Sequence, residues 1–346
     1  MSDLGKLGTK ALHAFPPELA HTLSLKALKS GLVPVPTIVP DPILQTSLAG
    51  LGLPNPVGLA AGYDKNGEVI DPLLKLGFGF VECGAVTPRP QAGNPKPRVF
   101  RLSQDEAVIN RMGFNNAGLV ALKERLSSRL GKPGVVGVNL GANKDSTDRT
   151  EDYVTSLTAL DGLADFFTIN ISSPNTPGLR ALQSKEALDD LLARVMAAKG
   201  AAPVFLKVAP DLKDEDLADI AASAVENKID ALIVSNTTIE RPESLKSADR
   251  AEAGGLSGRP LFDASTSVLR AFAKTLNGAV PLIGVGGIEN AETAYAKIRA
   301  GASVVQLYSA LVYEGPGLIS RINQGLALCL KTDGFSKLGD AVGADL

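Results

Sequence analysis

The chain has 346 residues and a formal net charge of −2, with 35 Lys and Arg against 37 Asp and Glu. That balance excludes a nucleic-acid binder working by bulk electrostatics, and 45% hydrophobic with 21% charged residues excludes disorder. Two cysteines and two histidines are too few for a disulfide framework or most zinc sites, so no metal is expected and a reducing compartment is the simple reading.

Residues 1–40 stand apart from the rest. Pro16 and Pro17 open a helix over Leu19–Lys29, and Gly31 closes it, the usual placement of these two residue types. Leu19, Leu23 and Ala27 share one face, and Leu25, Leu28 and Leu32 a second. Such a helix needs two surfaces: the main body, and either a neighbouring helix over Leu4–Phe15 or a lipid surface. In the lipid case Lys6, Lys10, Lys26 and Lys29 would meet anionic headgroups. Val33–Pro42 is proline-rich and reads as a linker. No apolar run approaches the roughly 18 residues of a membrane span, and neither a transmembrane segment nor a secretory signal is expected.

From Leu44 onward short apolar runs alternate with amphipathic helical stretches. Strands are expected at Val57–Ala60, Phe80–Gly84, Val135–Leu140, Phe167–Ile171, Val204–Val208, Ala231–Ser235, Leu282–Val285 and Ser303–Leu307. Helices are expected at Glu68–Leu76, Ala117–Leu130, Glu151–Leu163, Lys185–Ala198, Asp214–Glu226, Asp263–Leu276, Ala291–Ala300 and Pro316–Leu330. Eight strands each followed by a helix predict an α/β fold, a (β/α)8 TIM barrel over 41–346 with a small N-terminal helical extension over 1–40. A doubly wound open sheet is the rival, and the absence of GxGxxG counts against its dinucleotide-binding form.

Barrels of this kind carry their chemistry at the C-terminal ends of the strands. There the chain places Ala61-Gly62-Tyr63-Asp64-Lys65, Ala85, Asn139, Asn170 with Ser172-Ser173-Pro174-Asn175, Lys207, Asn236-Thr237, Gly286-Gly287 and Tyr308-Ser309. Amides and glycines suit the edge of a flat polar heterocycle, and lysines suit anionic or electron-rich atoms. The glycines after strands seven and eight lie where barrels commonly hold a phosphate. A phosphorylated planar cofactor such as FMN fits both halves.

The segments Asn55 to Glu68, Thr87 to Gln91, Asn110 to Asn116, Asn170 to Gly178, Lys207 to Asp211, Ser235 to Thr238, Gly254 to Pro260 and Gly284 to Ile288 resemble the dihydroorotate dehydrogenase family over about Glu18–Leu330. Serine at the base position and the extra N-terminal segment make the chain similar to the class 2, quinone-dependent branch. The resemblance implies oxidation of dihydroorotate to orotate in pyrimidine synthesis, with one FMN per chain passing electrons to a ubiquinone-type membrane quinone. It implies Ser173 as catalytic base, relaying its proton through Thr176 and water beside Phe114. It puts Lys65, Asn110, Arg111, Met112, Gly113, Phe114, Asn170, Asn175, Asn236 and Thr237 on the substrate. Ala61, Gly62, Ala85, Asn139, Asn170, Lys207, Ser235, Gly258, Gly287, Tyr308 and Ser309 fall on FMN positions, Ala85 standing where relatives often carry Ser or Thr. His21, Arg101 and Tyr308 fall on a quinone tunnel whose mouth residues 1–40 would form. A peripheral protein on the cytoplasmic face of the membrane follows, with no nucleic-acid partner and a monomer left open. A tRNA dihydrouridine synthase would need a basic extension and a cysteine in place of Ser173, which the sequence lacks. A silent flavin-binding barrel is the remaining alternative.

Overall fold

The computed structural model describes residues 2–346, with side chains from residue 5 on. Two helices come first, α1 (Ser2–Leu12) and α2 (Pro17–Lys29). Pro17 starts α2. Gly31, at φ +72°, ends it: the Leu32 N–H reaches back to the Ala27 carbonyl (3.1 Å) and the Gly31 N–H to that of Leu28 (3.2 Å). This is a Schellman turn, which glycine adopts without a Cβ clash.

A hairpin, β1 (Thr46–Leu48) and β2 (Leu51–Leu53), precedes β3 (Val57–Leu59), α3 (Ile70–Lys75) and β4 (Phe80–Val86). Then come β5 (Val99–Leu102), β6 (Ala107–Asn110), α4 (Leu119–Ser127), β7 (Val135–Leu140), α5 (Arg149–Leu160) and β8 (Phe166–Asn170). The chain continues through α6 (Lys185–Ala198), β9 (Val204–Val208), α7 (Asp214–Glu226), β10 (Ala231–Val234), β11 (Gly255–Gly258) and α8 (Phe262–Leu276). It ends with β12 (Leu282–Val285), α9 (Ala291–Arg299), β13 (Ala302–Leu307), α10 (Leu311–Glu314), α11 (Leu318–Thr332) and α12 (Leu338–Ala341).

Strands β3, β4, β7, β8, β9, β10, β12 and β13 form a closed parallel barrel, β13 pairing back onto β3. These are the eight expected strands, with ends moved by a residue or two, and closure rules out the open sheet. Two elements escape a local reading. The β1–β2 hairpin plugs the barrel bottom with Leu48 and Leu53. A small antiparallel sheet, β5–β6–β11, stands at the top; β11 joins β6 from far along the chain, a pairing no local periodicity reveals.

Inside the barrel, period-two alternation builds layers. Phe80, Phe166 and Phe205 fill the lower layer, Phe166 stacking on Phe205 at 4.7 Å. Glycine makes room for the rings: a Cβ on Gly137 would lie 2.0 Å from the Phe166 ring, and one on Gly58 2.3 Å from that of Phe80. Two residues further along these strands the inner face turns polar, with Glu82, Thr168 and Lys207, joined by Gln306, all buried. The intervening Val81, Cys83, Phe167 and Leu206 face the helices. Cys83 is fully buried, and burial pushes its thiol well up.

The N-terminal helices lie over the C-terminal rim. The Glu18 carboxylate pairs with Arg98 (2.7 Å), Lys6 with Glu314 (3.1 Å), and Tyr63 donates to Ser24 Oγ (3.0 Å). Ala20 and Leu28 are buried, while Leu7, Phe15, Leu19 and Leu32 are exposed. Leu32 thus departs from the face assigned to it with Leu28, because the left-handed turn at Gly31 throws it outward. Lys6 keeps a partly exposed side chain beside Glu314.

The glycine at 137 is testable. Gly137→Ala overpacks the ring layer and should cost about 1–3 kcal/mol, read as a lower thermal midpoint; an unchanged midpoint would mean that Phe166 can swing aside.

Candidate active site

One cavity of about 750 Å³ runs from the helical cap down to the polar layer. All but Arg111 and Thr176 of the expected site residues line it. Strand ends contribute Ala61, Gly62 and Lys65 after β3, Ala85 on β4, and Asn139, Asn170, Lys207 and Ser235 from the far wall. Gly287, Tyr308 and Ser309 follow β12 and β13, and Gly258 ends β11. Ser173, Asn175, Asn236 and Thr237 come from the loops after β8 and β10. Asn110, Met112, Gly113 and Phe114 arrive from the end of β6, and His21 and Arg101 close the upper end. The Arg111 side chain turns away from the cavity, unlike the side chains expected beside it. Its guanidinium lies 4.5 Å above the Phe100 ring and pairs with Glu252 (2.7 Å), since alternation along an extended chain turns it away from its neighbours Asn110 and Met112.

The loop carrying Ser173 is held from several sides. Ser173 is buried, and its Oγ accepts from the Asn175 N–H (3.3 Å). Arg180 forks between three loops, donating to the Ser172 carbonyl (3.0 Å), the Asp211 carboxylate (2.8 Å) and the Thr237 carbonyl (3.1 Å). Asn94 ties the Arg111 and Asn175 carbonyls together (3.0 Å each). Phe114 adopts φ +53°, and a Cβ on Gly141 would come 2.9 Å from its ring. Thr176 Oγ1 and Thr237 Oγ1 are buried without a partner among the described residues.

Two lysines bear on the cavity. Lys65 faces it, and burial lowers its pKa to about 8, with Glu18 opposing and Arg98 assisting; its Nζ donates to the Gly62 carbonyl (2.6 Å). Burial likewise lowers Lys207, with Glu82 pulling the other way. Glu82 itself, with Gln306, was missed from sequence. Its oxygens accept from Asn139 Nδ2 (2.7 Å) and Gln306 Nε2 (2.5 Å). The signal available was a charge inside an otherwise apolar strand, the same signal that marks Lys207.

At the upper end His21, Tyr63 and Tyr308 pack edge to face, at 5.2 Å for His21–Tyr63 and 5.5 Å for Tyr63–Tyr308. Arg101 donates to the His13 carbonyl (3.1 Å), and burial lowers its pKa. The cavity is therefore polar at its floor and lined by apolar and aromatic groups under the helices.

Fold and pocket together define a (β/α)8-barrel protein whose deep cavity opens at the C-terminal ends of its strands. The dihydroorotate dehydrogenase family model matches residues 43–330. A dihydroorotate dehydrogenase (quinone) of Parvibaculum lavamentivorans is 58% identical over 346 residues, covering 99% of both chains. One from Mesorhizobium japonicum is 56% identical, covering 98% of this chain and 96% of its own. The crystal structure of the Eimeria tenella enzyme with ferulenol superposes with a TM-score of 0.92 at 42% identity, covering 95% of each chain. The chain belongs to the dihydroorotate dehydrogenase family.

Burial, then the charge of Lys65, lowers the His21 pKa from 6.5 to about 3, against a backbone hydrogen bond at Tyr63. An unfolded chain takes up that proton near pH 6.5 while the folded one refuses it until about pH 3, so the contribution of His21 to stability is full above 6.5 and is lost as pH falls. A His21→Gln variant should lose less stability than the parent between about pH 7 and pH 4. Parallel curves of thermal midpoint against pH would mean that His21 titrates alike folded and unfolded.

Proposed function

We propose that this protein oxidises dihydroorotate to orotate and passes the electrons through one bound FMN to a ubiquinone-type quinone at a membrane surface. The observation that carries this reading is the continuous cavity, with Ser173, Lys65 and four asparagines at one end and apolar helices at the other.

The donor set fits FMN. Lys207 presents a buried ammonium to the cavity, which suits the electron-rich N1–O2 edge of an isoalloxazine. The backbone at Gly286-Gly287, whose φ values of +111° and +73° glycine tolerates, suits a phosphate beside the N-terminus of α8. Ala85 can offer this group only its backbone and a methyl. Ser309 Oγ donates to Ser257 Oγ (2.8 Å), close to the same corner. FMN, when bound, would supply the acceptor for the hydride lost from C6 of the substrate, and its electron pair would pass on to the quinone.

The chain's own residues do the rest. Lys65 pairs with the substrate carboxylate, and Asn110, Asn170, Asn175 and Asn236 offer donor and acceptor to the pyrimidine edge. Ser173 takes the C5 proton. No histidine stands beside it, so the proton must move on, and the Thr176 hydroxyl, without a partner among the described residues, supports a relay there. His21, Arg101 and Tyr308 border the quinone's path under residues 1–40.

Among the described residues no helix is long and apolar enough to cross a membrane. Exposed Leu7, Phe15, Leu19 and Leu32, flanked by exposed Lys10 and Lys26, instead support peripheral attachment to the cytoplasmic leaflet.

Two experiments test this reading. Ser173→Ala should keep its flavin yet slow flavin bleaching by dihydroorotate about 10²-fold or more; bleaching at the parent rate would sink the assignment of the base. Lys10→Glu with Lys26→Glu should weaken sedimentation with vesicles of anionic lipid roughly tenfold or more, and equal sedimentation would place the membrane contact elsewhere.

A further inference from the structure

We infer that Glu82 is a positioning residue, whose two-acceptor carboxylate at the barrel centre sets the direction of a chain of amides ending at the substrate loop. The inference deepens the function proposed above and rests on it.

Glu82 is fully buried and makes no ion pair with the described residues within 4 Å. A carboxylate in such a place is costly unless its hydrogen bonds are complete. Both its oxygens accept from amide NH2 groups, Asn139 on one side (2.7 Å) and Gln306 on the other (2.5 Å).

An amide is directional: with its NH2 committed at one end, its oxygen must face the other way. Asn139 gives its NH2 to Glu82, so its Oδ1 accepts from Asn170 Nδ2 (2.9 Å). Asn170 in turn directs its Oδ1 at the loop, where it accepts from the Ser172 N–H (3.3 Å), Ser172 Oγ (3.1 Å) and Asn236 Nδ2 (3.3 Å). Asn236 Nδ2 also donates to Ser172 Oγ (2.9 Å), leaving its Oδ1 to accept the Thr237 N–H (2.7 Å). A group that accepts at both oxygens therefore orients three amides and anchors the residue before Ser173. A reversed Asn139 would set NH2 against NH2 at Asn170 and present the wrong edge to the pyrimidine.

The test uses oxidised, flavin-loaded enzyme titrated with orotate while flavin absorbance is followed. Glu82→Met keeps the length of the side chain but removes both acceptors, and should weaken orotate binding roughly tenfold or more. The exchange Glu82→Gln with Gln306→Glu moves the carboxylate one position along the same layer. The new amide at 82 can turn its oxygen to Asn139 and its NH2 to the new carboxylate, so orotate affinity should return to within about threefold of the parent. Gln306→Met alone leaves the acceptor facing Asn139 and should bind orotate as the parent does.

Parent-like affinity in flavin-loaded Glu82→Met would overturn the proposal. So would an exchanged variant that folds and holds flavin yet binds orotate as weakly as Glu82→Met. If Glu82→Met does not hold flavin, the exchanged variant and Gln306→Met decide the matter on the same criteria. Parent enzyme that fails to bind orotate at all would bring down the assigned reaction, and this proposal with it.

Discussion

A closed barrel of eight strands holds its interior in layers, because only every second residue of each strand points inward. In this protein the transition from apolar to polar falls between residues two apart on the same strands: Phe80 to Glu82, Phe166 to Thr168, Phe205 to Lys207. The phenylalanine layer and the hairpin beneath it exclude water from below. The layer above then keeps a carboxylate, an ammonium and several amides in a dry setting, where each must be satisfied by its neighbours. The glycines at 58 and 137 belong to the same constraint, since without them the rings could not lie flat enough to seal the floor.

The second condition is the cap. The Arg98 guanidinium is almost fully buried and reaches Glu18 on α2 while also donating to the Ala92 and Asn94 carbonyls (2.6 and 2.9 Å). Burial pushes the Glu18 carboxyl up, but its hydrogen bonds and charge contacts with Arg98 and Lys96 outweigh this and hold it below the usual carboxylate range. Asn94 ties the loops at 111 and 175, so the pair joins the helical cap to the segment that frames the substrate end of the cavity. Glu18 also favours the charged form of Lys65. The cap is thus coupled electrostatically to the floor of the pocket as well as packed on its rim.

Much of this was legible in the sequence, for a physical reason. Barrel strands are buried on both faces and read as apolar runs, and the residues just past them are by construction the rim. Position therefore put Lys65, Asn170, Ser173 and Asn236 on the rim, where they line the cavity, and only the family resemblance gave them roles. Arg111 was misplaced because a contiguous motif does not reveal which way each side chain alternates. Glu82 and Gln306 were passed over because they lie in mid-strand, where a polar residue is easily taken for a tolerated exception. The β5–β6–β11 sheet was hidden by the distance in sequence between its strands, and the β1–β2 hairpin by its brevity.

Division of labour along the cavity follows from the same layering. A pyrimidine carboxylate and a lipid-soluble quinone ask for opposite surroundings, and one undivided pocket could not satisfy both. Here the amide-rich floor and the Ser172–Gly178 loop stand at one end, while Leu12, Leu28, Val33 and Val312 line the other beneath α1 and α2. On the proposed function a planar cofactor placed between Lys207 and Tyr308 would touch both ends, and the two substrates would never need to share a site. His21 suits that boundary because it stays uncharged there: burial and the nearby ammonium of Lys65 both act against its protonation. A charge at that point would draw water into the apolar end, so keeping the imidazole neutral and packed between two tyrosines preserves the separation on which the two half-reactions depend.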